Sequence, residues 1–202
     1  MRYTVISGLD AAAYSRHPLH GEHSAWVEKN CYVDFWIEIL HALKLEPLAM
    51  LPFTAAIDFE GDQWTFFKPA PGELYDLYGV DVQELTIWRP LIEHAQEHLA
   101  GGKLICTEAD AFWLPDTAGT DYRAKHTKTT IVLNDLDMEQ QRLGYFHNAG
   151  YYSLEGEDFV KTFRLDAAPD PAFMPLFCEF ARIDRLVRRP AAELAELSWG
   201  LW

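Results

Sequence analysis

Apolar residues follow helical spacing in the segment NCYVDFWIEILHAL, residues 30–43. Six of them fall on one broad face: Val33, Phe35, Trp36, Ile39, Leu40 and Leu43. Asn30 is a good N-cap, because its side-chain oxygen can accept a hydrogen bond from a first-turn amide. We therefore predict a core helix beginning near Asn30, after an irregular segment over residues 1–25.

The remaining hydrophobic pattern changes from helical to strand-like and back along the chain. Helical spacing predicts helices over four segments: residues 71–79, 89–102, 171–189 and 190–202. Alternation or β-branched residues predict strands over 103–115, 126–134 and 142–154, with a polar turn at 135–141. Residues 55–69 carry a Gly-Asp turn between aromatic arms, which fits short strands or an extended loop. Helices followed by an antiparallel sheet indicate the α+β class.

Length and charge narrow the function classes. The 202 residues are 49% hydrophobic, enough for one domain, or one domain with a small appendage. A net charge of -14 disfavours nucleic acid and anionic membranes as partners. No segment approaches the roughly 20 apolar residues of a membrane span, and MRYTVISGLD lacks a secretory apolar core, so we expect a cytoplasmic protein. The uncapped apolar end at Trp202 suggests that the natural protein continues.

One basic run, RIDRLVRR, interrupts this acidic chain at residues 182–189. We interpret it chiefly as a solvated helix face. The alternative is a docking patch for an acidic partner, formed by Arg182, Arg185, Arg188 and Arg189.

The three cysteines are widely spaced and odd in number, so we expect free thiols and not a disulfide framework. Cys106 and Cys178 lie in apolar runs and are most simply core residues. Cys31 directly follows the predicted N-cap, where first-turn amides and the helix dipole stabilise a thiolate. It is therefore a candidate nucleophile, although an inert core thiol is the competing interpretation.

A thiol nucleophile needs a base and a polar group that orients it. If the predicted hairpin is symmetric about Asp137, then His126 and Asn148 lie directly opposite and point to the same face. A slip of one residue would bring in His147 instead. The non-catalytic alternative is that His126 is a solvent-exposed histidine at a strand end and that residues 147–150 form a polar strand end leading into a turn. Candidates for the oxyanion site or the cleft are Asn30, Gln63 and His147.

Two histidine groups raise the question of a metal. HAQEH at residues 94–98 fits the H-x-x-E-H pattern of inverted zinc peptidases, but so short a pattern arises readily by chance. His17, His20 and His23 are spaced by three in a loop, and such loop clusters are more often solvated than ligating. We predict no metal and no cofactor.

Four blocks of the chain resemble the bacterial domain of unknown function 1839 family over about residues 20–165. They are NCYVDFWIEILHAL, DFEGDQWTFFK, LPDTAGTDYRAKHTKTTIVL and YFHNAGYYSLEGEDF. That family is distantly similar to the butirosin acyltransferase N-terminal domain and to papain-like peptidases that cut double-glycine leaders. The resemblance implies a papain-like catalytic domain over residues 1–165 and a C-terminal helical extension over residues 166–202.

The same resemblance implies Cys31 as nucleophile, His126 as base and Asn148 as the orienting residue. Two positions depart from the pattern. Ala25 stands where papain-like enzymes place the oxyanion glutamine, and Asn148 stands where the leader peptidases use Asp.

The resemblance also implies transfer of an acyl or aminoacyl group from a carrier-protein phosphopantetheine thioester to an amine. The alternatives are a thiol hydrolase, either thioesterase or peptidase, that uses the same site, and a non-catalytic protein that binds a carrier protein. The charge of -14 opposes an acidic carrier, and only the arginine run could offset it locally.

Overall fold

The computed structural model describes residues 1–24, 26, 30–168 and 174–201. Its α-helices are α1 (Cys31–Ala42), α2 (Pro71–Tyr78), α3 (Leu91–Ala100), α4 (Glu157–Thr162) and α5 (Ala191–Gly200). Its strands are β1 (Arg2–Thr4), β2 (Phe59–Glu60), β3 (Gln63–Trp64), β4 (Asp81–Glu84), β5 (Lys103–Asp110), β6 (Lys128–Asp137), β7 (Arg142–His147), β8 (Gly150–Glu155) and β9 (Cys178–Arg182). Short 3-10 turns lie at Pro18–His20, Pro47–Ala56, Ala111–Trp113 and Pro115–Thr117.

An antiparallel sheet organises the fold, in the order β4-β9-β5-β6-β7-β8, with β1 added beside the far end of β6. Strand β6 serves two neighbours on one side because it is irregular between Leu133 and Asp135. Its first half pairs with β5 and its second half with β1. Asn134 lies at the irregularity and is fully buried. Its side-chain oxygen accepts a hydrogen bond from the Ile6 amide, and its side-chain nitrogen donates to the Ile6 carbonyl oxygen. The α+β prediction is confirmed.

Helices cover both faces of this sheet. Helix α1 lies on the face that carries Cys106, Val132 and Phe146, and these residues belong to one core cluster. Helices α3 and α4 lie against the other face, where Ile131 and Tyr145 join a second cluster. Helix α1 is buried from Tyr32 to Leu40, which fits a helix that is apolar on most of its circumference.

Most predicted elements are present, including α1 with its Asn30 cap, the β2–β3 hairpin, α2, α3 and α5. The helix predicted over residues 171–189 was wrong. Residues 178–182 form β9, which lies between β4 and β5 in the sheet. Residues 166–202 were expected to form a separate helical extension, but part of this segment belongs to the sheet formed by the residues before it. A short apolar run fits a buried strand as well as a helix, which explains the error.

The interpretation of the arginine run as a helix face was also wrong. Arg182 lies on β9 and pairs with Asp81. Arg188 donates to the carbonyl oxygens of Leu43 and Lys44 at the end of α1, over 2.9 and 3.0 Å. Arg189 binds the last carbonyls of α2 in the same way. Arg188 and Arg189 thus neutralise the negative ends of α1 and α2, which is a structural role.

In the described part of the chain, no helix has the length and apolar character needed to cross a membrane.

Candidate functional site

Cys31 opens α1, and its position is fixed by the cap that precedes it. The side-chain oxygen of Asn30 accepts hydrogen bonds from the amides of Tyr32 and Val33. The other end of the same side chain donates to the carbonyl oxygen of Phe67 over 2.9 Å, which joins the aromatic segment to the helix start. Cys31 itself is half-buried and is a free thiol.

A polar cluster surrounds the first turn of α1. The Tyr32 hydroxyl donates to the buried carboxylate of Glu179 over 2.6 Å. The Lys68 ammonium lies 3.5 Å from Glu179 and 5.0 Å from the centre of the Tyr32 ring. Cys106 lies below, and burial, followed by the charges of Glu179, Cys178 and Cys31, raises its pKa well above the usual value. Cys106 is thus an inert neighbour of the partly exposed Cys31.

A buried network that the sequence analysis missed anchors the loop before α1. Glu38 accepts hydrogen bonds from the Tyr14 hydroxyl, the His17 amide and the His20 ring. Bonds from His20 and Tyr14 outweigh burial and keep the pKa of Glu38 below its usual value. Two acidic residues one turn apart in an apolar helix, Asp34 and Glu38, were the available signal, because buried carboxylates need partners.

Asp34 extends the network to the helix start. One of its oxygens accepts from the Trp26 indole over 2.8 Å, and the other accepts from the Asn30 amide over 3.1 Å. The loop and the cap of Cys31 are therefore held by the same helical face that carries Glu38. Ala25, the position of the absent oxyanion glutamine, lies outside the described residues.

His126 lies between β5 and β6, just before β6 begins, and a hydrogen bond and a stacking contact fix its ring. Its Nδ1–H donates to Asp110 Oδ2 over 2.6 Å, and its ring stacks on Phe112 with the centroids 4.4 Å apart. The side chain is 69% exposed. The Nε2 atom makes no hydrogen bond within the described chain and is available to a substrate or a thiol. A carboxylate that fixes one ring nitrogen in this way leaves the other to act as a base.

Asn148 does not meet His126, and the predicted register was wrong. Val132 pairs with Phe146, which shifts β7 by four positions from the arrangement that sets residues 126 and 148 opposite. Asn148 instead occupies the tight turn between β7 and β8 with a φ of 43°, a conformation that Asn tolerates well. The hydrogen-bond partner of His126 is Asp110 and not Asn148.

His147 points to the opposite face of the sheet from α1. It is buried, its Nδ1 donates to Asp116 Oδ2 over 2.6 Å, and Thr129 Oγ1 lies 2.7 Å from its Nε2. The Tyr145 hydroxyl binds the second oxygen of Asp116. This group is a satisfied core network and lies away from the helix that bears Cys31.

The other cleft candidates are divided. Asn30 is at the site, but both ends of its side chain are engaged in capping and in the Phe67 contact. Gln63 is exposed in the β2–β3 hairpin. In the described residues no hydrogen bond joins Cys31 to His126, so the structure does not bring the helix-start thiol and this histidine together.

The H-x-x-E-H segment has the packing of an ordinary amphipathic helix. The rings of His94 and His98 stack on each other, and His98 stacks on Phe180 with the centroids 5.4 Å apart. Glu97 pairs with Arg89. Across the described ranges, no group of three or more His, Cys, Asp or Glu residues is arranged to hold a metal ion, and this includes the three loop histidines.

Comparison with known proteins places most of the chain in one family. The family model of the DUF1839 N-terminal domain matches residues 15–183. No curated protein matches the chain. No solved structure matches it either.

Proposed function

The chain belongs to the DUF1839 N-terminal domain family, and we propose that it is a cysteine-dependent acyltransferase. Cys31 is the nucleophile, His126 the general base, and Asp110 the residue that orients the imidazole. The observation that supports this most is the 2.6 Å bond from His126 Nδ1 to Asp110, which leaves Nε2 free. The start of α1 supplies the polarised amides that favour a thiolate at Cys31.

The proposed reaction exchanges one thioester for another and then for an amide. The Cys31 thiolate attacks the carbonyl carbon of a carrier-bound thioester, and the phosphopantetheine sulfur leaves and takes a proton from His126. A neutral amine then attacks the acyl-enzyme. His126 accepts the amine proton, the amide forms, and Cys31 leaves as thiolate. In the first step one thioester C–S bond breaks and another forms, so this step is close to balanced in energy. In the second step a C–S bond breaks and an amide C–N bond forms.

Catalysis in this scheme requires the His126 ring to close on Cys31 when the donor binds. The His126 side chain is mostly exposed, and its contacts within the described chain are the hydrogen bond to Asp110 and the stacking on Phe112. A papain-like arrangement, with a helix-start cysteine facing a strand-end histidine, is part of the proposal. So are the carrier-protein donor and a cytoplasmic location.

Most of the positive charge of the arginine run is already engaged by other groups of the chain, so little of it is left to bind an acidic carrier protein. Arg182, Arg188 and Arg189 are engaged with Asp81, the end of α1 and the end of α2, respectively. Arg185 is exposed and forms no ion pair within the described chain. Docking of an acidic carrier on this run would therefore rest chiefly on Arg185.

Acylation of Cys31 tests the proposal directly. The full chain is incubated with S-acetyl-pantetheine or S-glycyl-pantetheine, and the modified residue is located by mass spectrometry. We expect an acyl group on Cys31, its release as an amide when phenethylamine is added, and a rate at least about 100-fold lower in His126→Ala. Asp110→Asn should slow acylation, whereas Asn148→Ala should not. No acylation of Cys31, or equal rates in wild type and His126→Ala, would refute the proposal.

A second candidate, a non-catalytic carrier-binding protein, is favoured by one observation. The thiol and the imidazole form no hydrogen bond in the described chain. This candidate predicts binding of a carrier protein without acylation of Cys31. A thiol hydrolase and a transferase differ in the acceptor. In a hydrolase, water releases the acyl group from Cys31, and the rate of release is the same with and without the amine. In a transferase, the amine raises that rate.

A further inference from the structure

The β2–β3 hairpin presents large aromatic side chains to solvent. Phe59 and Trp64 are directly paired across the two strands, so both project from the same face of the hairpin. Their ring centroids are 5.0 Å apart at an angle of 65°, and their exposed fractions are 49% and 67%. Phe66, just beyond Trp64, is 71% exposed. Contiguous apolar patches on the surface of soluble proteins often mark binding sites.

The same hairpin carries only negative charge. Phe59 is flanked in sequence by Asp58 and Glu60, and Asp62 follows the Gly61 turn. All three acidic residues are exposed, and none forms an ion pair with a cation of the described chain. Lys68, the next cation along the chain, is engaged by Glu179. Adjacent residues lie about 3.8 Å apart along the backbone, so these carboxylates are within a Debye length of the rings.

The hairpin is attached to the start of α1. Phe67, at its C-terminal base, accepts the hydrogen bond from the Asn30 side chain that caps the helix of Cys31. The Phe67 ring stacks on Phe53 and meets the Trp26 ring edge to face. The base of the hairpin is therefore packed against the residue that precedes the thiol, while its aromatic tip is left open.

We propose that the aromatic face of Phe59 and Trp64 binds the protonated amine acceptor of the reaction at Cys31. Aromatic ring faces attract organic cations. Asp58 and Glu60 project from the opposite face of the strand, so the carboxylates of the hairpin add a longer-range attraction through its negative field. The ligand class is a primary ammonium ion on an apolar stem: the stem packs on the exposed rings and the ammonium is held by the negative field. This inference rests on the proposed function, since it names the acceptor of that transfer.

The chemistry of transfer is consistent with a cationic acceptor. An alkylamine is mostly protonated at neutral pH, so it arrives as the ammonium ion and must lose a proton to water before it attacks the acyl-enzyme. The second proton, released when the amide forms, passes to His126. The hairpin repels carboxylates and phosphates, so the acidic carrier must approach Cys31 from elsewhere.

Binding is tested in the full chain carrying Cys31→Ser, so that no step depends on the thiol. The ¹⁵N-labelled protein is titrated with phenethylamine and, separately, with 3-phenylpropionate, which has a similar apolar stem and the opposite charge. The Trp64 indole signal is identified by its loss in Trp64→Phe. We expect phenethylamine to shift this signal and 3-phenylpropionate to leave it unchanged. Added salt should weaken the binding of phenethylamine.

Charge and ring variants complete the test. The combined Asp58→Asn, Glu60→Gln and Asp62→Asn variant should bind phenethylamine at least about fivefold more weakly, and Phe59→Leu should also weaken it. Glu155→Gln, an equally exposed acid on β8, is the matched control and should bind as the parent does. Equal shifts with both probes, no shift with the amine, or full affinity in the triple variant would overturn the inference. Because the thiol is absent, such a failure would leave the acylation of Cys31 as a separate question.

Discussion

His20 gives a stability prediction whose size follows from its surroundings. His20 and Glu38 are fully buried, and the ring donates to the carboxylate over 2.6 Å. Burial by itself lowers the pKa of His20, but the hydrogen bonds and charges of Asp34 and Glu38 outweigh it and raise the pKa from 6.5 to about 9. The folded chain therefore holds this proton more tightly than the unfolded chain does.

The sign of the pH effect follows from that difference. The stabilisation is fully present below the unfolded value of 6.5 and is lost as the pH rises through about 9. One pKa unit corresponds to about 1.4 kcal/mol, so the rise from 6.5 to about 9 contributes about 3 kcal/mol below pH 6.5 and less than that at neutral pH. Replacing His20 by Gln removes the titrating group while leaving an amide that can still donate to Glu38.

Urea unfolding followed by circular dichroism measures the effect between about pH 6 and about pH 9.5. The free energy of unfolding of the wild type should exceed that of His20→Gln by about 2 to 3 kcal/mol at pH 6, and most of this difference should vanish by pH 9.5. His23→Gln, at an exposed loop histidine, should follow the wild type. A pH-independent difference between wild type and His20→Gln would refute the argument.

Two pairs of variants and one alkylation experiment test other parts of the fold and site. Arg188→Ala removes two hydrogen bonds to the end of α1 and should lower the free energy of unfolding by about 1 to 2 kcal/mol, whereas Arg185→Ala should change it by less than about 0.5 kcal/mol. Gly79→Ala should destabilise by more than about 2 kcal/mol, because Gly79 has a φ of 71° and a Cβ there would overlap the Arg185 carbonyl oxygen; Gly72→Ala, with open space, should not. Burial raises the pKa of Cys178 to about 12 and also raises the pKa of Cys106 well above its usual value, so both thiols should react with iodoacetamide only after unfolding in urea.

The sequence predicted those elements whose signals are local. The Asn30 cap and the apolar spacing after it define α1 within a turn of its true start. The Gly-Asp turn between aromatic residues was consistent with short strands or an extended loop, and the structure has the short strands β2 and β3. In both cases the residues that decide the structure lie within a few positions of one another.

The errors arose where distant residues decide. The predicted register centred the turn between β6 and β7 on Asp137, but Asp137 pairs with Arg142, so the turn lies at residues 138–141. The irregularity at Asn134, whose side chain is held by Ile6 of the N-terminal segment, changes the pairing by one residue. The partner of His126 is Asp110, which is brought near because it pairs with Lys128 across β5 and β6.

The candidate site divides in the same way. The sequence alone identified the helix-start thiol and the strand-end histidine. The orienting carboxylate, the network of Glu38 and His20, and the engagement of Asn30 by Phe67 each depend on contacts between segments that are distant in the sequence. Asp34 and Glu38 within an apolar helix were the visible hint that the preceding loop carries their partners.

The most direct test of the account is the rate of iodoacetamide alkylation at Cys31 at about pH 7, followed by mass spectrometry with Cys106 and Cys178 as internal references. The account predicts that Cys31 reacts faster than N-acetylcysteine does under the same conditions, and that this advantage is lost in both His126→Ala and Asp110→Asn. Asn148→Ala should keep it. If Cys31 reacts like an ordinary thiol in the wild type, or if both variants match the wild type, Cys31 is not a nucleophile activated by His126.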